Sequence, residues 1–409
     1  MMRLVIAGGG TGGHVGPALA TLDVLRERVD PLAILWIGTH NGVERRIAGE
    51  RGIPFQAIQA GKLRRYFSVE NMIDFGRVPV GAAQALVALR RFRPDVVFST
   101  GGFVSVPTVA AARLLRIPSL IHEQTAQFGL ANRINLRFAT AVALPYEASR
   151  AYMPPTHRRV TVTGNPVRAD LLRGDAAEGA RLLGLTPDLP TIYVTGGALG
   201  AQRINTALAA LLPNLLTRYQ VVHSCGTQGS KPDLADFQAL AAALPAAQRA
   251  RYVVRDFFGA ELPHIYALAR LVVGRAGAGT VAELAALGKP AILIPLPGTG
   301  GDEQTKNARL LADAGGAVLL PEDTLTNDTL LATIDRLLAP SAASELTRMG
   351  AAAHTQAPGD AAERLADELL RLVPALTPGS LRSPVPSPAM RERGAATRKR
   401  VPRRRGEGR

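Results

Sequence analysis

Short apolar runs recur along the whole chain, and between them apolar and polar positions follow a helical period. Nearly continuous apolar strands separated by helices are typical of parallel sheets that are covered on both faces. The pattern therefore predicts an α/β fold. The runs place strands at 3–7, 33–38, 55–59, 95–99, 119–123, 141–145, 159–163, 191–195, 220–224, 252–256, 271–274, 291–295 and 317–320.

Both halves of the chain open with the same succession of a strand, a glycine-rich turn and a helix. The first copy is RLVIAGGGTGGHVGPALA from Arg3, and the second is TIYVTGGALGAQRINTAL from Thr191. Ligands of open parallel sheets bind at the carboxyl ends of the strands. We therefore predict two Rossmann-like, doubly wound domains that face each other across a cleft holding the ligand.

Domain boundaries follow from the chain breakers and from a change in composition near the end. We predict a first domain at 1–164, a second at 165–340, C-terminal helices at 341–376 that pack back on the first domain, and a disordered tail at 377–409. The tail holds ten basic and two acidic residues of a chain whose net charge is +15. Pro, Ser, Gly and Arg dominate it, so it builds no core and is either solvated or a tether to an anionic partner.

The bulk composition excludes several classes of protein. Apolar residues make up 47% of the 409 positions, which excludes wholesale disorder. The single cysteine, Cys225, cannot form an intrachain disulfide, and this favours a reducing compartment. No apolar run approaches the roughly 20 residues of a membrane helix, so a soluble chain is expected. Because the tail lacks interleaved aromatic residues, no specific nucleic acid partner is expected.

The first glycine-rich turn, residues 8–13, matches the dinucleotide pattern G-x-G-x-x-G but lacks its second requirement. The second strand runs into Thr39 without an acidic residue, and the next acid, Glu44, is expected inside the following helix. A P-loop is excluded because His14 follows the last glycine. What remains is a helix start whose amides favour phosphate or sugar oxygens. The same helix end disfavours an imidazolium, so His14 is predicted to be neutral and able to accept a proton.

A second glycine-rich turn lies in VVGRAGAGTVAELAALGKP, where Thr280 is predicted to begin a helix. Its amides and hydroxyl suit a diphosphate. Glu283, one turn further, is placed either to accept hydrogen bonds from ribose hydroxyls or merely to complement the helix dipole. Arg168, in VTGNPVR, is either a cation for a departing phosphate or a surface ion-pair partner. After another strand, Asp302, Glu303, Gln304 and Asn307 are positioned to form hydrogen bonds with sugar hydroxyls.

No Asp-x-Asp motif or His/Cys cluster has the spacing of metal ligands, so no essential metal is expected.

Taken in order, these motifs resemble the MurG family of UDP-N-acetylglucosamine transferases. The matching stretches are GGTGGHVGPALA, GGFVSVP, HEQ, GLANR, VTGNPVR, GAGTVAEL and DEQTKNA, which span residues 1 to about 340. The resemblance implies a GT-B glycosyltransferase that inverts configuration and needs no metal or other cofactor. It also implies that the second domain binds the nucleotide, while the lipid-linked acceptor reaches the first domain from the membrane.

The resemblance also assigns roles to individual positions. His14 is the first choice for the catalytic base and Glu123 the second. The family's donor contacts fall on Thr11, Gly12, Gly13, Arg168, Gly277, Ala278, Gly279, Thr280, Glu283 and Gln304. Two further substrate-binding positions carry unusual residues, because Thr125 replaces the family's asparagine and Ala198 its serine.

The implied reaction moves N-acetylglucosamine from UDP-GlcNAc to the muramyl 4-hydroxyl of lipid I, producing lipid II for peptidoglycan. The implied location is the cytoplasmic face of the bacterial cell membrane, with an anionic lipid surface and cell-wall synthesis or division proteins as partners. Segment 63–79 mixes apolar and basic residues, which suits contact with that surface. Two alternatives stay open: a related GT-B enzyme with another lipid or small-molecule acceptor, and a non-enzymatic sugar-nucleotide or nucleic-acid binding protein recruited through the tail.

Overall fold

The computed structural model describes residues 1–9, 12–61, 69–155, 157, 159–197, 200–226, 232–298, 301–357 and 359–373, with backbone only for 12 and 69–78. Its strands form two parallel sheets. The expected tail at 377–409 and most of segment 63–79 lie outside these side-chain descriptions.

The first sheet has the strand order β3-β2-β1-β4-β5-β6-β7, which places the end of β1 between β2 and β4. Its strands are β1 (Met2–Gly8), β2 (Leu32–Gly38), β3 (Phe55–Ala57), β4 (Val96–Gly101), β5 (Ser119–His122), β6 (Ala141–Leu144) and β7 (Val160–Val162). The helices of this half are α1 (Gly12–Arg28), α2 (Val43–Glu50), α3 (Val69–Phe92), α4 (Ser105–Leu114) and α5 (Leu130–Asn135).

The second sheet has six strands in the order β10-β9-β8-β11-β12-β13, which repeats the topology of the first sheet without its seventh strand. Its strands are β8 (Thr191–Thr195), β9 (Gln220–Ser224), β10 (Tyr252–Arg255), β11 (Ala269–Gly274), β12 (Ala291–Leu293) and β13 (Ala317–Leu319). Its helices are α6 (Ala176–Leu183), α7 (Gln202–Leu215), α8 (Leu234–Ala243), α9 (Ala246–Arg249), α10 (Leu262–Leu268), α11 (Ala278–Leu287), α12 (Glu303–Ala312), α13 (Asn327–Leu338) and α14 (Ala343–His354).

The chain returns to the first domain at its end. Helix α15 (Ala361–Leu372) contacts α1, and its buried Leu365 and Leu369 join the apolar cluster under β1 and β4. Arg28 and Asp367 form an ion pair 2.6 Å long across the same contact. Helix α14 instead contacts α11 in the second domain. The two helices of segment 341–376 therefore pack mainly on different domains. The prediction that this segment packs back on the first domain holds for α15, whereas α14 packs against α11 of the second domain.

One predicted helix start needs correction. Helix α11 begins at Ala278, with Gly277 as its N-cap in extended conformation, whereas the sequence placed the start at Thr280. Small residues at 277–279 leave no side chain that marks the boundary, so Thr280 was the first obvious signal. In the structure Thr280 already lies in the first turn of α11.

Candidate active site

The glycines around the first turn are required by the protein's own side chains and backbone. A Cβ atom at Gly8 would overlap the Thr100 hydroxyl, and one at Gly9 would overlap the carboxyl group of Glu44. A Cβ atom at Gly102, where φ is +81°, would overlap the Gly9 carbonyl oxygen. Two glycine turns, one after β1 and one after β4, thus pack directly against each other at the carboxyl edge of the sheet.

His14 lies in the first turn of α1, half-buried, with its ring against the backbone of Gly101. Its Nδ1 is 2.8 Å from the carbonyl oxygen of Thr100. Because a carbonyl only accepts, Nδ1 carries the proton and Nε2 keeps a lone pair. Burial lowers the pKa of His14 below its ordinary value, while the Thr100 carbonyl and the charges of Glu123 and Glu44 act in the opposite direction. The imidazole is thereby held neutral with Nε2 able to accept a proton.

Glu123 holds the loop that follows β5. Its buried carboxylate accepts five hydrogen bonds of 2.9–3.1 Å. The donors are the backbone amides of Gln124, Thr125 and Gly129, the Thr125 hydroxyl and the Asn132 side-chain amide. Both oxygens are fully occupied, so the geometry suits Glu123 to positioning this loop and does not suit the role of second-choice base.

Thr125, expected to bind substrate, faces into the same loop. Its buried hydroxyl is within hydrogen-bond distance of the Glu123 carboxylate and of the Gln127 carbonyl oxygen. A hydroxyl has one proton to donate, and both acceptors belong to the protein. The Thr125 side chain therefore stabilises the loop. The neighbouring Gln124 contacts His14 instead: its Nε2 is 3.2 Å from His14 Nδ1 and donates to the Thr100 carbonyl at 2.8 Å.

The start of α11 offers backbone donors in the second domain. The first α-helical hydrogen bond here runs from Val281 N–H to Gly277 O, so the amides of Ala278, Gly279 and Thr280 precede the helical ladder. A Cβ atom at Gly279 would meet nothing within 4 Å, which leaves this end of the helix open. The arrangement can bind an anion such as a diphosphate.

Glu283, Arg168 and Tyr266 form one cluster beside that helix start. The Tyr266 hydroxyl donates to Glu283 Oε2 at 2.9 Å, and Arg168 Nε lies 3.5 Å from Asp170 Oδ1. Burial raises the pKa of Glu283, whereas the Tyr266 hydrogen bond and the positive charge of Arg168 oppose the increase. The structure thus brings two separately predicted residues, Arg168 and Glu283, into one electrostatic environment.

The remaining predicted positions are distributed around the two turns. Gly12 and Gly13 form the first residues of α1. Gln304 lies in the first turn of α12, and its Oε1 accepts the Leu296 amide at 3.0 Å, so its amide nitrogen is the group that could donate to a ligand. Thr11 and Ala198 lie outside the described residues.

A cavity of about 290 Å³ lies between the two domains. Its walls come from the loop after β5 and from α12, two elements that adjoin Thr125 and Gln304. The lining residues are Phe103, Ala126, Gln127, Phe128, Gly129, Leu130, Arg133, Glu303, Lys306 and Asn307. Asn307 is buried; its Nδ2 donates to the Ala276 carbonyl at 3.2 Å, and its buried Oδ1 has no hydrogen-bond partner among the described residues. Within the described ranges, no group of three or more His, Cys, Asp or Glu side chains is placed to hold a metal ion.

Several residues of this site were not predicted as such. The positions of Thr100, which anchors His14, and of Tyr266, which binds Glu283, emerge only from the folded topology. A signal for Thr100 was available, because β4 is the strand that pairs with β1 on the far side from β2 in a Rossmann order. The end of β4 must then adjoin the first glycine turn. Gln127 and Lys306 carried no comparable signal.

Comparison with known proteins places these features in a family. The glycosyltransferase family 28 N-terminal domain matches residues 4–144, and the corresponding C-terminal domain matches residues 191–365. The crystal structure of Acinetobacter baumannii MurG superposes with a TM-score of 0.67 at 29% identity, covering 91% of this chain and 100% of that one. A relative from Lachnoclostridium phytofermentans is 38% identical over 338 residues, which is 82% of this chain and 91% of the relative. It is named UDP-N-acetylglucosamine--N-acetylmuramyl-(pentapeptide) pyrophosphoryl-undecaprenol N-acetylglucosamine transferase.

The chain belongs to the MurG family. The predicted resemblance and the predicted GT-B arrangement of two parallel-sheet domains are thereby confirmed. The MurG-like architecture extends to more distant enzymes, because the calicheamicin glycosyltransferase CalG4 superposes with a TM-score of 0.63 over 92% of this chain. At 15% identity that likeness concerns the fold alone.

Proposed function

We propose that this MurG-family chain transfers N-acetylglucosamine from UDP-GlcNAc to the 4-hydroxyl of N-acetylmuramic acid in undecaprenyl-pyrophosphoryl-MurNAc-pentapeptide. The product is lipid II, the precursor of peptidoglycan. The observation that carries the proposal is that α1 and α11, the helices that begin at the two glycine turns, contact each other across the domains. A base at one helix start and an anion site at the other are thus parts of one cleft.

In the proposed step, the acceptor oxygen attacks the anomeric carbon of the donor while the bond to the UDP oxygen breaks. Nε2 of His14 takes the proton of the acceptor hydroxyl, and the configuration at the anomeric carbon is inverted. Proton transfer to a positioned group contributes about 10²–10⁴-fold in rate. Glu123 and Thr125 act indirectly by holding the loop that surrounds the imidazole.

The leaving diphosphate is stabilised by backbone donors at the start of α11 and by Arg168. Aligned amides at a helix start bind developing negative charge without reorganising, which is the principle of an oxyanion hole. Glu283 accepts hydrogen bonds from the ribose hydroxyls, and Gln304 donates from its amide nitrogen to the sugar. The interdomain cavity supports sugar binding, since it joins aromatic faces at Phe103 and Phe128 with amide groups.

We place the protein at the cytoplasmic face of the bacterial cell membrane as a peripheral protein, among the proteins of cell-wall synthesis and division. Exposed apolar side chains on α3 and α4 support lipid contact: Val80, Val87 and Leu114. Exposed arginines at 90, 91, 113 and 116 flank them and suit anionic head groups. None of the helices in the described ranges could cross a bilayer.

Incubation of the purified protein with UDP-GlcNAc and a lipid-I-type acceptor tests the proposal. We expect a β-linked disaccharide on the acceptor and release of UDP. Glycolipids that lack the muramyl sugar serve as parallel acceptors. Transfer to those glycolipids and none to the muramyl acceptor would replace the proposed acceptor. No turnover with any acceptor, combined with unchanged thermal stability in UDP-GlcNAc, would reject the enzymatic proposal.

A further inference from the structure

A fully buried carboxylate lies beneath the first glycine turn. Glu44, on α2, has no exposed surface, and its Oε1 accepts the Thr39 amide and the Thr39 hydroxyl, both at 2.8 Å. Cβ atoms at Gly9 and Gly42 would both overlap its carboxyl group. Two glycines from different segments therefore leave the space that this carboxylate occupies.

The same turn is fixed from two other sides. The buried indole of Trp36 on β2 donates to the Gly8 carbonyl at 3.0 Å, and the Gly9 carbonyl lies against Gly102. Glu44 and Trp36 both come from the β2–α2 unit, and neither is part of the cleft described above. They fix the backbone at Gly8 and Gly9, a few residues before His14 in α1.

We infer that Glu44 is a positioning residue for the transfer reaction, whose carboxylate, held by Thr39 and packed under Gly9, fixes the glycine turn and with it the imidazole of His14. The inference rests on the proposed function, because it concerns the same reaction. In a dinucleotide site an acid at the end of the second strand binds the ribose, whereas Glu44 lies beyond β2, on α2. Here the acid is buried within the protein and serves the loop instead.

Charge gives Glu44 a second effect on His14. The ionisable groups that act on this imidazole are Glu123 from the loop after β5, Glu44 from α2 and His122 from β5. The two carboxylates favour the protonated imidazole, so each raises the pKa of His14 against the effect of burial. Removing the charge at position 44 lowers the pKa of His14.

The substitution Glu44→Gln keeps the shape and an acceptor for Thr39 but removes the charge. We expect kcat to fall by about tenfold or more, the scale of a small misplacement in an active site, with UDP affinity unchanged. The acid limb of the kcat profile moves to lower pH, because activity requires neutral His14. Glu44→Asp keeps the charge but withdraws the carboxylate from Gly9, so it lowers kcat without moving the limb.

Glu50→Gln is the matched control, since Glu50 is an exposed acid on the same helix and pairs only with Arg46 in the described structure. Its kcat and its pH profile should equal those of the wild type. A Glu44→Gln profile that superimposes on the wild-type profile would overturn the inference. So would a fall in kcat that matches the loss of folded protein and leaves the acid limb in place.

A third variant covers the case in which Glu44→Gln does not fold. Thr39→Val removes one donor from the carboxylate and retains the side-chain volume, so kcat should fall several-fold at unchanged UDP affinity. Wild-type turnover in folded Thr39→Val would overturn the inference. Wild-type protein without any transfer activity is a separate outcome, which rejects the proposed function itself.

Discussion

At the scale of single residues, the site depends on how each polar group is anchored. His14 is bound at Nδ1 by the Thr100 carbonyl, and Glu123 is saturated by five donors of its own loop. The first-choice and second-choice bases of the sequence analysis thus differ in whether an acceptor lone pair remains unoccupied by the protein. This difference makes the proposed roles testable by substitution.

Replacing His14 by alanine is expected to lower turnover by about 10²–10⁴-fold, the usual contribution of a general base. Donor affinity should change little, because the proposed UDP contacts lie mainly at α11. Steady-state kinetics and calorimetric titration with UDP separate the two quantities. His40→Ala removes an exposed histidine of the same domain and should leave both unchanged. A His14→Ala enzyme with wild-type turnover would remove His14 from the mechanism.

The Tyr266 hydrogen bond stabilises the charged form of Glu283 and opposes the effect of burial on its pKa. Tyr266→Phe should therefore raise the pKa of Glu283 further. Protonation then occurs at higher pH, so UDP affinity should begin to weaken at a higher pH than in the wild type as the solution is acidified. Titration calorimetry with UDP over a pH series measures this. Identical pH dependence in both proteins would contradict a ribose-binding role for the carboxylate.

At the scale of elements, the apolar pattern was sufficient to predict where the strands of both sheets lie. Each of the thirteen predicted strands overlaps a strand of the structure, and 191–195 and 220–224 coincide with β8 and β9. Fully buried parallel strands read as continuous apolar runs, and this makes them easy to recognise. The predicted start of α11 was two residues too late, because the side chains of Gly277, Ala278 and Gly279 give no signal for a helix cap.

The contacts of the site were less predictable than its elements. Thr100, Tyr266 and Glu44 reach their partners through strand order and side-chain direction, which periodicity does not specify. Glu44 was expected simply to lie inside the next helix, and it does, but its carboxylate turns back under Gly9. Local sequence specifies the turn, whereas the group that occupies the space beside it comes from another element.

Helix α15 stabilises a domain from which it is distant in sequence. Leu369 is fully buried in the cluster that α15 shares with α1 and β1. Leu369→Ala should lower the free energy of unfolding by about 2–5 kcal/mol, the cost of a buried cavity. Urea denaturation followed by circular dichroism measures the loss. Arg371→Ala, at an exposed position of the same helix, should cost far less, and equal effects would show that α15 does not pack as described.

At the scale of the whole molecule, one side of the first domain combines apolar and basic exposure. Leu114 has 77% of its surface exposed and Val87 has 64%. Arg113 and Arg116 are exposed beside Leu114 in the sequence, Arg90 and Arg91 are exposed near Val87, and the two helices α3 and α4 contact each other. Apolar side chains with basic neighbours are the composition that the proposed attachment to anionic lipid requires.

Leu114→Asp should weaken co-sedimentation with phosphatidylglycerol vesicles at low salt, because it places a charge at an exposed apolar position that the proposed attachment brings to the lipid. High salt should weaken binding of both proteins, since screening acts on the arginines. Leu182→Asp changes an exposed leucine of the second domain and is expected to bind as the wild type does. Unaltered sedimentation of the Leu114 variant would argue against contact through this surface.

The backbone passes between the domains twice, once between β7 and β8 and once between α14 and α15. Two chain connections restrain a pair of domains differently from a single connection. Two connections permit a hinge rotation of the domains about the line through both connections, and they resist twisting and sliding of one domain against the other. We therefore expect product release to require a swing of one domain away from the other, and we expect cleavage of the chain after α14 to add twisting and sliding to that motion.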